Sequence, residues 1–307
     1  MKRNAIARII IYSILALILT AVLIVGMGID GFGFHMNIGG NGTTVEDELT
    51  LEAAQIKNID IDWAAGSVKI LVADTDRITV TEVCSKDCKY KMTYKISGSS
   101  LELDYGETKI SIGFGNGSIP SKDLFITVPR DWVCSTLDID GAALEIDIQD
   151  LTLTKLELDG ASCDVNFVGT VEQVDVDGAS TNIRISSFHP VSNINIDGAS
   201  CDLELTLPKG CGFLVQMDGL SCSFHSELAY TKANGAYSYG NGQCKVEVNG
   251  LSCDVTIAEG PSCAHEWGPG MPVVDPNTGW QGMMYTCRHC GESSTTGPTL
   301  DVKWPTE

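Results

Sequence analysis

The sequence has few basic residues and few aromatic residues. Only 20 Lys and Arg stand against 40 Asp and Glu in 307 residues, which gives a formal net charge of -20. No basic stripe interrupts this acidic background, so the chain would repel a phosphate backbone and nucleic acid is excluded as a partner. Outside the N-terminus no segment carries a long apolar pattern of period 3.6. With 32 glycines and 7% aromatic residues, the composition favours an all-β protein with many tight turns.

In place of helical patterns, the sequence repeats one twelve-residue motif six times. The copies begin at Leu137, Leu156, Val174, Ile194, Val215 and Val246. Their central glycines are Gly141, Gly160, Gly178, Gly198, Gly219 and Gly250, at intervals of 19, 18, 20, 21 and 31 residues. A period near twenty residues is typical of a stacked repeat architecture.

Each copy is predicted to form a strand, a corner and a second strand. The second copy, LELDGASCDVNF, alternates apolar and polar residues on both sides of Gly160. Its predicted inward side chains are Leu156, Leu158, Cys163, Val165 and Phe167. The D-G-A-S segment interrupts the alternation, so we expect a bend in which glycine supplies a dihedral that other residues resist. We therefore predict an all-β fold, a β-solenoid of coils of about 20 residues stacked about 4.8 Å apart.

The stacking predicts a column of side chains three residues after each glycine. Its members are Leu144, Cys163, Thr181, Cys201, Cys222 and Cys253. Four cysteines suggest a metal or redox ladder, but cysteine is also a small residue that packs well in a narrow coil, and we favour that interpretation. Sequence order places Cys201 and Cys222 in adjacent coils, where a disulfide is geometrically feasible.

A second predicted column holds the residue before each glycine. Its members are Asp140, Asp159, Asp177, Asp197, Asp218 and Asn249. Charges about 4.8 Å apart repel by roughly 3.5 kcal/mol at an effective dielectric of 20, so something should compensate them. Bound calcium is one candidate, although the calcium-binding nonapeptide pattern is absent. We favour the other, in which each carboxylate caps backbone N–H groups of its own corner.

Further strands and turns are predicted around the six copies. An A-A-G-S corner at Gly66 echoes the later ones. Residues 227–243 are too long for a corner and carry Asn-Gly turn signals, so they form an irregular coil or a hairpin attached to the solenoid. Cys84 and Cys88 bracket three residues between two strands, and a hairpin disulfide or two free thiols fit equally well.

The N-terminus carries the long hydrophobic run of the chain. Residues 9–29 contain no charge and would span roughly 31 Å as a helix, which matches a bilayer core of about 30 Å. Lys2, Arg3 and Arg8 precede the run, so the positive-inside rule predicts a single-pass cell-membrane protein with residues 1–8 in the cytoplasm and the C-terminal domain outside. A cleaved signal peptide is the alternative, but no clear A-x-A site follows the run. Residues 30–50 form a glycine-rich linker.

The alternating repeat pattern ends after Ile257, and a segment with paired Cys and His residues follows. Cys263-x-His265 is followed by Cys287-x-x-Cys290-Gly291. Two close pairs of such ligands are what a closed, tetrahedral structural zinc site needs. We predict a zinc-ribbon-like module over residues 259–295 with Cys263, His265, Cys287 and Cys290 as ligands, before a tail over 296–307. Disulfides or a redox pair are the alternative.

The corners of the DGASCD type and the ending YGNGQCKVEVNGLSCDVTI resemble a bacterial "putative adhesin" family of β-strand-repeat envelope proteins. The resemblance covers Glu52 to Ile257, within a repeat domain predicted over residues 51–258. It implies a β-repeat fold in the cell envelope and carries no catalytic residues over to this chain. Some relatives are thought to accompany envelope-stress signalling.

Three classes of function fit these patterns to different degrees. The favoured one is a membrane-anchored, extracytoplasmic structural or binding module, whose partner is a cell-wall or other envelope polymer. An accessory or sensor of envelope stress, acting through a membrane protein partner, is the alternative. A polysaccharide-active enzyme fits least, because the acidic residues recur as ladders and form no distinctive pair; we predict that the chain is not an enzyme.

Overall fold

The computed structural model describes residues 43–85, 91–106 and 121–260, and the three short segments 271–274, 281–286 and 293–294. The chain divides in sequence into two compact units, 1–259 and 260–307. All regular structure of the described residues is β, apart from one 3-10 turn at Ala53–Gln55. The predicted all-β class is therefore confirmed.

Thirteen strands form the large sheet of the first unit. They are β1 (Thr43–Glu52), β2 (Asn58–Asp62), β3 (Ala65–Ala73), β4 (Arg77–Ser85), β5 (Thr93–Ser97), β6 (Ser100–Asp104), β7 (Lys122–Pro129), β8 (Val133–Ser187), β9 (Asn193–Leu207), β10 (Phe213–Ser226), β11 (Thr231–Ala233), β12 (Ala236–Tyr239) and β13 (Cys244–Glu259).

Each repeat forms one coil, which we name after its corner glycine. The long strand β8 contains three successive coils, and β9, β10 and β13 contain one each. In the Gly160 coil the predicted inward side chains are all buried, and Asp159 and Asp164 are exposed. The inward residues of all coils share one apolar core. The solenoid-like repeat predicted from the alternation is confirmed.

The coils do not stack in the order of the sequence. The Gly198 coil pairs in parallel with the Gly178 coil on one side and with the Gly250 coil on the other. The Gly250 coil then pairs with the Gly219 coil. The last copy in the sequence is thus inserted between the fourth and the fifth. The expected contact of Cys201 with Cys222 is wrong, because Cys253 stands in register between them.

The opposite end of the stack shows the same inversion. β2 and β3 form a coil with its corner at Gly66, and this coil pairs with residues of the Gly141 coil. β6 and β7 come later in the sequence but lie on the far side of β2 and β3. The A-A-G-S corner predicted at Gly66 is therefore part of the stack.

The corner glycines are required for space and not for a special dihedral. None of the six has a positive φ, so the expected unusual dihedral is wrong for them. A Cβ on Gly198 would instead lie under 3.0 Å from both Cys201 Sγ and the carbonyl oxygen of Gly178 in the neighbouring coil. Gly66 is different, because its φ is +124° and a Cβ there would strike the backbone of Lys122.

A hairpin covers the Gly219 end of the stack. β11 and β12 pair around Asn234 and Gly235, whose φ values are 51° and 82°, as a tight hairpin turn requires. The hairpin predicted within residues 227–243 is thus present, and β12 pairs with the first strand of β10. Its aromatic rings close the core, because Tyr237 packs on Phe224 with ring centroids 4.5 Å apart.

A buried ion pair lies near the other end. Lys122 Nζ is 2.6 Å from Glu82 Oε1, and both side chains have 0% exposure. Lys122 also donates to the carbonyl of Tyr105 at 2.6 Å and sits 4.1 Å from the centre of that ring. Glu82 Oε2 accepts the backbone N–H of Met92 at 3.0 Å. Each charge is therefore paired and hydrogen-bonded, as burial demands.

The second unit contributes three short strands to the description: β14 (Met271–Val274), β15 (Gln281–Thr286) and β16 (Ser293–Ser294). They form one antiparallel sheet in the order β14, β15, β16. The predicted zinc-ribbon-like module is not part of the described fold, because the described residues contain no group of three or more His, Cys, Asp or Glu that could hold a metal ion.

The predicted membrane topology also needs correction. Within the part of the chain that the structure describes, no helix is long and apolar enough to cross a membrane. This finding goes against the N-terminal transmembrane helix in the predicted fold class and against the predicted single-pass location. Residues 9–29, on which both rested, lie outside the described residues.

Candidate functional site

The first strands of the coils present a continuous acidic face. In the six repeats these strands direct two polar side chains outward, one and three residues before the corner glycine, and β2 and β6 add the residues in register with them. The residues of this acidic face are Asp60, Asp62, Glu102, Asp104, Asp138, Asp140, Glu157, Asp159, Asp175, Asp177, Asp197, Glu247 and Asp218. Parallel pairing in register sets equivalent side chains about 4.8 Å apart, so the acids form two ladders.

A concavity of about 380 Å³ lies in the middle of the acidic face. It spans four coils, from the Gly160 coil to the Gly250 coil. The lining residues are Glu157, Asp175, Val176, Asp177, Asn195, Asp197, Glu247 and Asn249. Carboxylates supply only acceptors when ionised, while the two amides supply donors as well. The concavity can therefore bind groups that donate hydrogen bonds or carry positive charge.

One lysine ties part of this surface together. Lys155 Nζ lies 2.8 Å from Asp175 Oδ2 and also forms an ion pair with Glu157. The hydrogen bonds to Asp175 and Glu157 raise the pKa of Lys155. Asn195 donates to Asp175 Oδ1 at 2.7 Å. The ladder three residues before the corners is thus cross-linked from coil to coil at its centre.

The acids near the Gly141 corner are less well compensated. Burial, and then repulsion from Asp140 and other neighbouring acids, raises the pKa of Asp138 to about 6. Burial followed by the charge of a neighbouring aspartate also raises the pKa values of Asp140 and Asp62. This part of the face therefore takes up protons more readily than isolated carboxylates do.

The prediction that the aspartate before each corner glycine caps backbone N–H groups of its own corner is wrong for four members of that column. Asp140, Asp159, Asp197 and Asp218 make no hydrogen bond to a backbone N–H of their own corner, although these residues are all described. The stacking order provides one form of relief instead. Asn249 stands in register between Asp197 and Asp218, so a neutral amide separates those two carboxylates.

The outward face of the second strands has a different character. Arg184 lies 3.1 Å from Asp164 and 3.6 Å from Glu204. Asn166 donates to Asp147 at 2.9 Å. Acids of this second face pair with Arg184 or with an amide, so part of its negative charge is compensated.

The predicted cysteine column exists in the order Leu144, Cys163, Thr181, Cys201, Cys253 and Cys222. All six side chains are buried except that of Cys222, which is partly exposed. The four cysteines of this column are present as thiols. Packing inside the corner, the favoured interpretation, agrees with this burial. Cys84 is also buried, whereas its predicted partner Cys88 lies outside the described residues.

The four predicted zinc ligands cannot be placed on this framework. Cys263, His265, Cys287 and Cys290 all lie outside the described residues, so this site stays a prediction. The calcium alternative for the aspartate ladder also stays untested. Sequence reasoning identified the column of acids beside the glycines, but it missed the second acidic column and the concavity, which depend on the stacking order.

Comparison with known proteins gives a family match and several structural likenesses. The model of a family described as Toastrack DUF4097 matches residues 56–219 and 131–258. No curated protein matches the chain.

Three solved structures are similar in outline. A "putative cell adhesion protein" from Clostridium sporogenes has 13% identity and a TM-score of 0.42, covering 70% of this chain and 99% of its own. A "putative adhesin" from Bacteroides fragilis has 13% identity and a TM-score of 0.38, covering 72% and 98%. A "putative lipid binding protein" from Parabacteroides distasonis has 14% identity and a TM-score of 0.29, covering 73% and 98%.

Proposed function

Since the chain belongs to the Toastrack DUF4097 family, we propose that its repeat domain is a noncatalytic binding module. Its ligand is a cell-wall or other envelope polymer that carries repeated amino and hydroxyl groups. The acidic face is the binding surface, and the concavity at its centre is where contact is densest.

The observation that carries this proposal is the regular spacing of the acidic face. Equivalent carboxylates recur about every 4.8 Å along the stack, because the coils pair in register. A polymer with repeated groups can contact several coils at once, and linked contacts raise the overall affinity without any single strong site. Stacked repeats commonly offer such extended surfaces for binding.

The chemistry of the concavity selects the type of polymer. Asp197 and Glu247 line it and form no ion pair with any residue that the structure describes, so their charge is available to a ligand. Ammonium groups would pair with these carboxylates, and hydroxyl groups would donate to them. Phosphate-rich polymers would be repelled by the acidic face, as expected for a chain with a formal charge of -20.

The electrostatics of the acids favour binding over catalysis. Hydrolytic pairs of carboxyl groups need environments that push their two pKa values apart. Here the pKa values of Asp62, Asp138 and Asp140 are all raised, from the same causes of burial and neighbouring acids. These causes belong to the ladder and do not single out one pair of carboxyl groups as acid and base.

Co-sedimentation of the purified full-length chain with isolated cell-wall sacculi tests this function. The double variant Asp197→Asn with Glu247→Gln removes two charges from the concavity, and we expect it to lose at least severalfold in the bound fraction. The matched control is Asp202→Asn with Asp254→Asn. These two acids are exposed on the second strands of the same two coils, so the change in net charge is identical.

The outcomes separate the alternatives. Loss of binding in the concavity variant, with the control unchanged and no new reducing ends released, supports the proposal. Equal loss in both variants would show that only net charge matters and that the concavity is not the site. If the unaltered chain does not sediment with sacculi, the polymer proposal fails and a protein partner becomes the better hypothesis.

A further inference from the structure

The stacking order places three cysteines next to one another in successive coils. Cys201, Cys253 and Cys222 occupy equivalent positions in the Gly198, Gly250 and Gly219 coils. In-register parallel strands hold such residues about 4.8 Å apart, which lies within the range of roughly 4.4–6.8 Å between the Cα atoms of a disulfide. Cys201 and Cys222 are two coils apart, about 10 Å, and cannot join directly.

The side chains of this cysteine ladder already interact. A hydrogen bond from the side chain of Cys253 lowers the pKa of Cys201, in spite of its burial. The hydrogen bond to Cys201, together with burial, raises the pKa of Cys253. Cys253 therefore interacts electrostatically with both of its neighbours in the ladder, Cys201 and Cys222.

Thr181 gives an independent sign that the ladder holds a polar group. Its side chain is 6% exposed, and its Oγ1 has no hydrogen-bond partner among the described residues. It lies in register beside Cys201, at the inner end of the ladder. A hydroxyl buried without a partner costs free energy, and a thiolate on Cys201 would accept its hydrogen bond.

We propose that Cys201, Cys253 and Cys222 form a redox-active ladder in which Cys253 is the shared member of a single reversible disulfide. Hydrogen peroxide first reacts at Cys222, the partly exposed end. The Cys222 sulfur attacks one peroxide oxygen, the O–O bond breaks, and the thiol proton leaves with the other oxygen as water. Cys253 sulfur then attacks the resulting sulfenic acid, the S–S bond forms, and a second water departs with the Cys253 proton.

Cys201 exchanges with this disulfide without any further oxidant. Its thiolate can attack Cys253 sulfur, which breaks the Cys253–Cys222 bond and releases Cys222 as a thiolate. Oxidation begins at the partly exposed Cys222, so the first disulfide formed joins Cys253 to Cys222 and leaves the buried Cys201 reduced.

Disulfide mapping of the peroxide-treated full-length chain tests the proposal. After treatment, free thiols are blocked with N-ethylmaleimide in denaturant, and peptides are produced by cleavage after Lys, Arg and Glu. The expected product is a disulfide between Cys253 and Cys222, reversed by dithiothreitol. Cys163 is the internal control, because it lies in the same column between Leu144 and Thr181 and has no cysteine beside it; it should stay a thiol.

Three substitutions distinguish this ladder from other arrangements. Cys222→Ser should form a disulfide between Cys201 and Cys253 much more slowly, because both remaining thiols are buried. Cys201→Ser should keep the disulfide between Cys253 and Cys222. Cys253→Ser should lose both. The proposal is overturned if Cys253→Ser forms a disulfide between Cys201 and Cys222, if Cys163 is oxidised equally, or if all three ladder thiols survive while the chain stays folded by circular dichroism.

Discussion

Replacing Glu82 with glutamine removes one charge of the buried ion pair and keeps nearly the same shape. Lys122 would then remain charged with 0% side-chain exposure, beside the Tyr105 carbonyl and the rings of Tyr105 and Trp63. Breaking a buried pair by removing one partner typically costs about 3–5 kcal/mol, because it leaves an uncompensated charge. We expect a loss of that size in the free energy of unfolding, measured by urea denaturation of the full-length chain.

The exposed pair of Lys95 and Glu102 is the control. Its nitrogen and oxygen are 2.9 Å apart, but the side chains are 68% and 39% exposed. Exposed pairs contribute about 0–1 kcal/mol, so Glu102→Gln should hardly change the unfolding midpoint. In a double-mutant cycle, Glu82→Gln with Lys122→Met should be less destabilised than the sum of the two single variants. If Glu82→Gln costs no more than Glu102→Gln, the charges are not buried as the structure places them.

Three further outcomes follow from other parts of the molecule. Gly198→Ala should destabilise the chain by about 1–3 kcal/mol or more through overpacking. Adding Cys201→Ala should recover less of the lost stability than adding Cys163→Ala recovers in Gly160→Ala, because the carbonyl of the neighbouring coil is 3.1 Å from the new Cβ at Gly160 and closer at Gly198. Thermal unfolding of the four variants tests this comparison. Since the pKa of Asp138 is raised from 3.8 to about 6 in the folded chain, the folded state binds the proton more tightly, so this group's contribution to stability should increase as pH falls from 7.5 through 6 towards 4. Asp138→Asn should remove that part of the pH dependence and raise the melting temperature at pH 7.5. The gain in the free energy of unfolding should be at most about 1 kcal/mol, because solvent screens the half-exposed group. An unchanged pH profile would contradict the raised pKa. Purified full-length chain should contain one zinc, measured by mass spectrometry of the metal, that is lost in Cys290→Ser, and metal-free protein with Cys287 joined to Cys290 would refute the predicted ligand set.

The alternation of apolar residues was sufficient to predict the local structure of each coil. Period-two patterns fix which side chains face the core, because a strand that slipped by one residue would expose its entire apolar set. Leu156, Val165 and Phe167 are buried for this reason. The same parity contained a signal that sequence reasoning missed: Glu82 lies in line with Val80, and Lys122 with Leu124, so both charges fall on inward positions. Two opposite charges with inward parity indicate a buried pair.

The corner glycines show where a motif was interpreted through the wrong physical cause. A turn dipeptide that recurs along a sequence suggests a left-handed dihedral at its glycine, and Gly66 does have one. At Gly198 the restriction comes from the next coil and from Cys201, which lie where a Cβ would be. That restriction exists only once the coils are stacked, so a single repeat cannot show it.

The order of the coils could not be predicted because the repeats are nearly equivalent as partners. All six copies share the alternating residues around a D-G or N-G corner and can pair in register with one another, so backbone hydrogen bonds do not choose the order. The side chains differ at the ends of the stack. The copy VEVNGLSCDVTI buries Val248 and Cys253 between two neighbours, whereas the copy VQMDGLSCSFHS leaves Leu220 89% exposed and Cys222 partly exposed.

The copy VQMDGLSCSFHS suits the end position because the segment that follows it in the chain covers its exposed side. Phe213 and Phe224 of β10 pack against Tyr239 and Tyr230, which come from the segment that follows β10 directly in the sequence. If β13 occupied the end, these aromatic residues would have to reach across another coil to cover the same rings. The long step of 31 residues between Gly219 and Gly250 is therefore what allows the last copy to enter the stack. That insertion sets Cys253 between two other cysteines and Asn249 between two aspartates, so both the thiol ladder and the centre of the acidic face depend on it.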